Sequence, residues 1–198
     1  HQVIPDAIPF ITEFPTILRL DIGQISNIIT SDLTMERLEN IAVDEPLVVS
    51  FKRILFVEQT LKIVLQLTKK AFVYRLNLCT IFLYILKNDP ESDFIKFIIG
   101  IKDINVLDGI VRTFASQSTQ RMEILPLILD RHKGIESINR TYLLYLLLEY
   151  MTVELKNPSP FLLAACKESV HKTTEYFDTN TKFEEDIRKK IQNSIKSS

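Results

Sequence analysis

The sequence predicts an all-α fold, and three observations support that prediction. Two long helix-patterned runs follow one another between Pro46 and Lys87, separated only by Lys69, Lys70 and Ala71. Apolar residues cover well over half of each helix circumference, so each helix must be buried on more than one side, in a stack where layers lie between neighbours. No convincing pair of strand-patterned segments appears among the 198 residues.

The elements follow in order. Pro5, Pro9 and Pro15 punctuate residues 1–14, an extended lead segment expected to lie over the first helices, because each proline pushes the residue before it towards extended backbone. Helical spacing begins at Thr16, and Asp21, Gly23, Ser26 and Asn27 predict a weak, broken element up to Thr30. Ser31 or Asp32 is the expected cap of a short helix whose Met35, Leu38, Ile41 and Ala42 share a face, ending at Asp44-Glu45-Pro46. Pro46 then suits the first position of one long helix to Thr68. Ile54, Phe56, Val57, Leu61, Ile63, Val64, Leu65 and Leu67 form its apolar arc, and Lys52, Glu58, Gln59, Lys62, Gln66, Lys69 and Lys70 form the remainder.

Phe72 to Lys87 reads as a helix apolar nearly all round, stopped by Asn88-Asp89-Pro90. Ser92 is the expected cap of the next helix and Gly100 its C-terminal end. Asp103 starts another, with Ile104, Leu107, Ile110, Val111 and Phe114 on one side. After a polar loop at 116–120, a shorter helix carrying Pro126 leads to Arg131 and Gly134. The run from Ile135 to Lys156 is expected to be the most buried helix of the C-terminal half, and Asn157-Pro158-Ser159-Pro160 breaks the chain before Phe161 to Phe177. Thr181 and Glu184 have capping-box spacing for a last helix with a narrow stripe of Phe183, Ile187, Ile191 and Ile195. That stripe suits a cap on the stack, or else a docking face for another protein or a second copy.

Length and composition fit one large domain over residues 15–198 that needs neither disulfides nor metals. With 46% hydrophobic residues and a mean hydropathy of +0.10, much of the chain must be interior or face a partner. A formal charge of -1 supplies no global field for nucleic acid or anionic lipid, so either role needs a local patch. Cys79 and Cys166 both lie in apolar runs, where a thiol behaves as a small hydrophobe, and so few cysteines read as intracellular. In that compartment the Asn139-Arg140-Thr141 sequon carries no meaning. The chain opens on His1 and reads as a piece of a longer protein, with His1 a cloning remnant. The greasiest runs carry Arg75 and Asn77, or Glu149 and Glu154, so neither inserts across a membrane.

Wholly buried helices alternate with one-sided ones in units of roughly 20 to 25 residues. This pattern resembles the armadillo or HEAT class of helical-repeat proteins in architecture alone, with no repeated consensus string. The resemblance implies about eight to nine antiparallel helices stacked in a right-handed superhelix that presents a curved groove, with a compact helical bundle as the rival arrangement.

Reaction chemistry is sparse. His132 lies in a charged helix end, and His171 is five residues past Cys166, off the spacing that aligns two ligands on one helix face, so no metal or cofactor is expected. Four isolated glycines make no phosphate-cradling loop. Glu149 projects between Ile138, Tyr142 and Tyr145, where a buried carboxylate needs hydroxyl or arginine partners. A small-molecule or catalytic cavity around it is the alternative function, and a superhelix facing RNA or a membrane surface is a third. The favoured reading is a non-enzymatic scaffold or adaptor. Lys52, Gln59, Lys62, Gln66, Lys69 and Lys70, followed by Arg75, form a polar ladder suited to an acidic or phosphorylated segment of another protein. No aromatics interleave with the lysines to stack bases, so nucleic acid is disfavoured.

Overall fold

A computed structural model describes residues 15–42, 47–115, 124–125, 127–129, 131–132, 139, 142–147, 160, 164 and 189. Every described element is α-helical, with no strand among the described residues. The labelled helices are α1 (Thr16–Ile29), α2 (Met35–Ala42), α3 (Leu47–Leu55), α4 (Glu58–Thr68), α5 (Phe72–Asn88), α6 (Glu91–Gly100) and α7 (Ile104–Phe114). The chain divides into two compact units, His1–Phe97 and Ile98–Ser198. The lead segment 1–14 and the stripe of Phe183, Ile187, Ile191 and Ile195 lie outside the described residues.

In the first unit α5 is the hub, packed against α1, α2, α3 and α4. That follows from its apolar circumference. Leu78, Cys79, Ile81, Phe82 and Ile85 are all fully or almost fully buried, and each large apolar side chain so buried contributes about 1.5–3 kcal/mol. Asn77, also buried on α5, turns its amide to the C-terminal end of α1 and donates to the Ile29 carbonyl at 2.6 Å and the Ser31 carbonyl at 2.9 Å. Helix ends leave carbonyls without intrahelical partners, and a buried end must find them elsewhere.

The first helix corrects the expectation of a weak, broken element. It runs unbroken for 14 residues through Gly23. Ile22, Ile25, Ile28 and Ile29 are buried along it, and this packing outweighs the poor local propensity. Asp21, a residue that made the helix look weak, is tied to Arg53 Nη1 of α3 at 2.6 Å. The cap of α2 is also corrected. Thr34, rather than Ser31 or Asp32, accepts from the Arg37 backbone N–H at 3.1 Å, while the Ser31 hydroxyl closes α1 by donating to the Ile28 carbonyl at 2.7 Å. Ser92 lies inside α6 and is not its cap.

The single helix expected from Pro46 to Thr68 is two helices, with the break at Phe56-Val57. Val57 takes extended backbone, φ -125 and ψ 125, and stands 45% exposed instead of joining the apolar arc. Two contacts accompany the break. The Thr60 hydroxyl donates to the Ile54 carbonyl at 2.5 Å, joining the end of α3 to the start of α4. Phe56, released from the common arc, stacks on Phe97 of α6 with ring centroids 5.7 Å apart.

In the second unit α7 starts as expected, with the Asp103 carboxylate accepting from the Asn105 N–H at 2.9 Å. Leu107, Ile110, Val111 and Phe114 are buried along it. Of the run from Ile135 to Lys156, the described residues are helical and buried. Asn139 repeats the device of Asn77, its amide donating to the carbonyls of Ile98 (2.7 Å), Ile99 (3.0 Å) and Ile101 (2.9 Å).

Candidate functional site

Two exposed surfaces of the first unit gather long polar side chains. The first is a groove between α3 and α6. Val49, Lys52, Arg53 and Phe56 fall at i, i+3, i+4 and i+7 and so share one face of α3 or its C-terminal extension. Asp93, Lys96 and Phe97 share a face of α6 by the same rule. Together these seven residues line an open depression of about 520 Å³.

The floor of the groove is aromatic and continuous with the core. Phe56 lies parallel to Phe97 within 10° and 5.6 Å from Phe94, which is fully buried and meets Phe82 at 5.9 Å. Val49, 56% exposed, lies on the rim. Lys52 Nζ is 2.6 Å from both Asp89 Oδ2 and Asp93 Oδ2. The Asp89 and Asp93 carboxylates hold the Lys52 ammonium above the usual lysine value, and Lys52 holds Asp93 below the usual carboxylate value. Lys96 stands exposed beside this clamp.

The sign of each shift fixes the pH window of the clamp. A depressed Asp93 contributes stability that is present above the ordinary carboxylate pKa and is lost as pH falls through its lowered value. A raised Lys52 contributes stability that is lost only as pH rises through its own raised value. Lys52→Met should therefore lower the urea midpoint at neutral pH, and the gap to wild type should shrink below about pH 4 as Asp93 protonates. A gap that stays constant through that acid titration would rule out the charge pair as its cause.

The second surface is the outer face of α4. Gln59, Lys62, Gln66 and Lys69 recur at alternating spacings of three and four residues and are all exposed, while Leu61, Val64, Leu65 and Leu67 are buried. Lys70 is exposed in the turn that follows, and Arg75 on α5 places its guanidinium carbon 5.8 Å from the Phe72 ring centroid. The ladder read from the sequence is thus divided. The helix break assigns Lys52 to α3, where its charge is engaged by two carboxylates, and leaves the others on α4 and at its tip.

In the second unit Tyr142 and Tyr145 are buried with ring centroids 6.5 Å apart, and the Tyr142 hydroxyl donates to Asp108 Oδ1 at 3.0 Å. Glu149, the carboxylate expected beside them, lies outside the described residues. Among the described residues no group of three His, Cys, Asp or Glu side chains is placed to hold a metal, and no helix is long and apolar enough to cross a membrane.

Val49, Arg53, Asp93, Lys96 and Phe97 did not stand out in the sequence as site residues. The spacing of Val49, Lys52, Arg53 and Phe56 was legible, but their pairing with α6, some forty residues later, was not. No protein-family model, curated protein or solved structure matches the chain.

Proposed function

We propose that this chain is a helical protein-interaction domain, an intracellular scaffold or adaptor piece of armadillo or HEAT type, which receives a partner segment in the groove between α3 and α6. The observation that carries this reading is the pairing of a stacked Phe56–Phe97 floor with the exposed Lys96 and the part-exposed Arg53 beside it. An apolar side chain of the partner would cover Val49 and the two rings. A neighbouring carboxylate would meet Lys96 and the outer face of the Arg53 guanidinium. Apolar anchors supply most of the affinity in such contacts, and rim charges select among partners.

Selection of a displayed random-peptide library on the purified protein tests the proposal. Enriched peptides should carry a large apolar residue beside Asp or Glu. The pair Val49→Asp with Lys96→Glu should weaken the selected peptide by about 30-fold or more, the scale of losing one buried anchor. Enrichment of basic peptides, or a selected peptide indifferent to both substitutions, would refute the reading. Both positions are exposed, so the variants should keep the wild-type helical circular dichroism.

A further inference from the structure

We propose that the tip of the α4–α5 hairpin adsorbs to a surface of anionic lipid headgroups, a role beyond the partner groove. Three observations converge on the tip. Phe72 and Val73 are consecutive, apolar and 50% and 49% exposed at the start of α5. Lys69 and Lys70, both exposed, precede them in the turn, and Arg75 follows one residue after Tyr74. On either side of the tip, from Gln59 to Leu76, the chain contains no Asp or Glu, while Lys62, Lys69, Lys70 and Arg75 fall within that stretch, in a protein whose overall charge is -1.

The C-terminal dipole of α4 explains lysines at this turn. It explains neither the missing carboxylates nor the half-exposed apolar side chains of Phe72 and Val73 at the apex. A bilayer interface satisfies all of these features together, because apolar tips enter the headgroup boundary while lysine and arginine remain among the phosphates. An acidic peptide fits less well, since apolar anchors need a concavity and the described groove is lined by other residues. RNA fits less well again, since Arg75 already covers Phe72, which would otherwise offer a face for base stacking.

Co-sedimentation of the whole chain with vesicles tests the proposal, using phosphatidylcholine alone or with about one-third phosphatidylserine. The protein should pellet with the serine-lipid vesicles at least tenfold more than with the neutral ones. Each basic residue near such a surface is worth roughly fivefold, so Lys69→Glu with Lys70→Glu should cut partitioning by about 25-fold or more, and the milder pair Lys69→Gln with Lys70→Gln by less. Phe72→Ser with Val73→Ser should weaken binding at least threefold, and Val49→Asp should leave it unchanged, which separates this surface from the partner groove. Equal pelleting with neutral vesicles overturns the proposal. So does insensitivity to either the lysine pair or the serine pair, and so does binding of soluble poly-glutamate through Lys69 and Lys70 when the vesicles fail to bind.

Discussion

Phe82→Ala should destabilise the first unit by about 3–5 kcal/mol, the largest effect expected of any single substitution in the described core. Phe82 is fully buried on α5, the helix that packs against α1, α2, α3 and α4. A cavity is cheapest where one side can collapse into it, and a hub held by four neighbours offers little room to do so. The ring also meets Phe94, which supports Phe56 and hence the floor of the groove. Loss of stability should therefore be accompanied by loss of binding by a groove-selected peptide. Urea denaturation followed by circular dichroism reads the first effect and peptide titration the second. A loss below about 1 kcal/mol would mean that the site relaxes, contrary to a hub held on all sides.

Asn77→Leu is the second large effect, expected at about 2–3 kcal/mol although the substitution adds apolar surface to the core. The amide serves two carbonyls at the end of α1, and an acceptor left buried without a partner costs about 1–3 kcal/mol. Asn77→Asp sharpens the test. Its carboxylate would face carbonyl oxygens, so burial and the carbonyl dipoles would raise its folded pKa above the unfolded value. A raised acid destabilises increasingly as pH rises past the unfolded pKa. The deficit of Asn77→Asp should therefore be smallest near pH 4 and grow towards neutrality, while that of Asn77→Leu stays flat. Parallel curves for the two variants would show that packing volume, and not amide donation, is what the position requires.

The parts of this fold legible in the sequence were those set by local pattern. The apolar circumference of α5 announced its central place, and Asp103 announced the start of α7. Other features were settled by contacts between distant residues, where one-dimensional pattern carries no signal. The break at Phe56-Val57 has neither glycine nor proline to mark it; there the Phe56 ring turns to Phe97 on α6, 41 residues later. The weakness read into α1 at Asp21 disappears once Arg53, 32 residues later, supplies its counter-ion. The candidate site divides in the same way. The exposed stripe of α4 follows from helix geometry, so Gln59, Lys62, Gln66 and Lys69 could be named in advance. The groove joins faces of two helices, and Lys52 looked like an available cation until Asp89 and Asp93 were placed beside it.

Cys79, fully buried midway along α5, supplies a built-in reporter. A thiol reagent reaches that sulfur only when the hub helix swings clear of its neighbours, so labelling kinetics count spontaneous openings without any introduced dye. Cys166 falls in a different proteolytic fragment, and mass spectrometry scores the two cysteines separately.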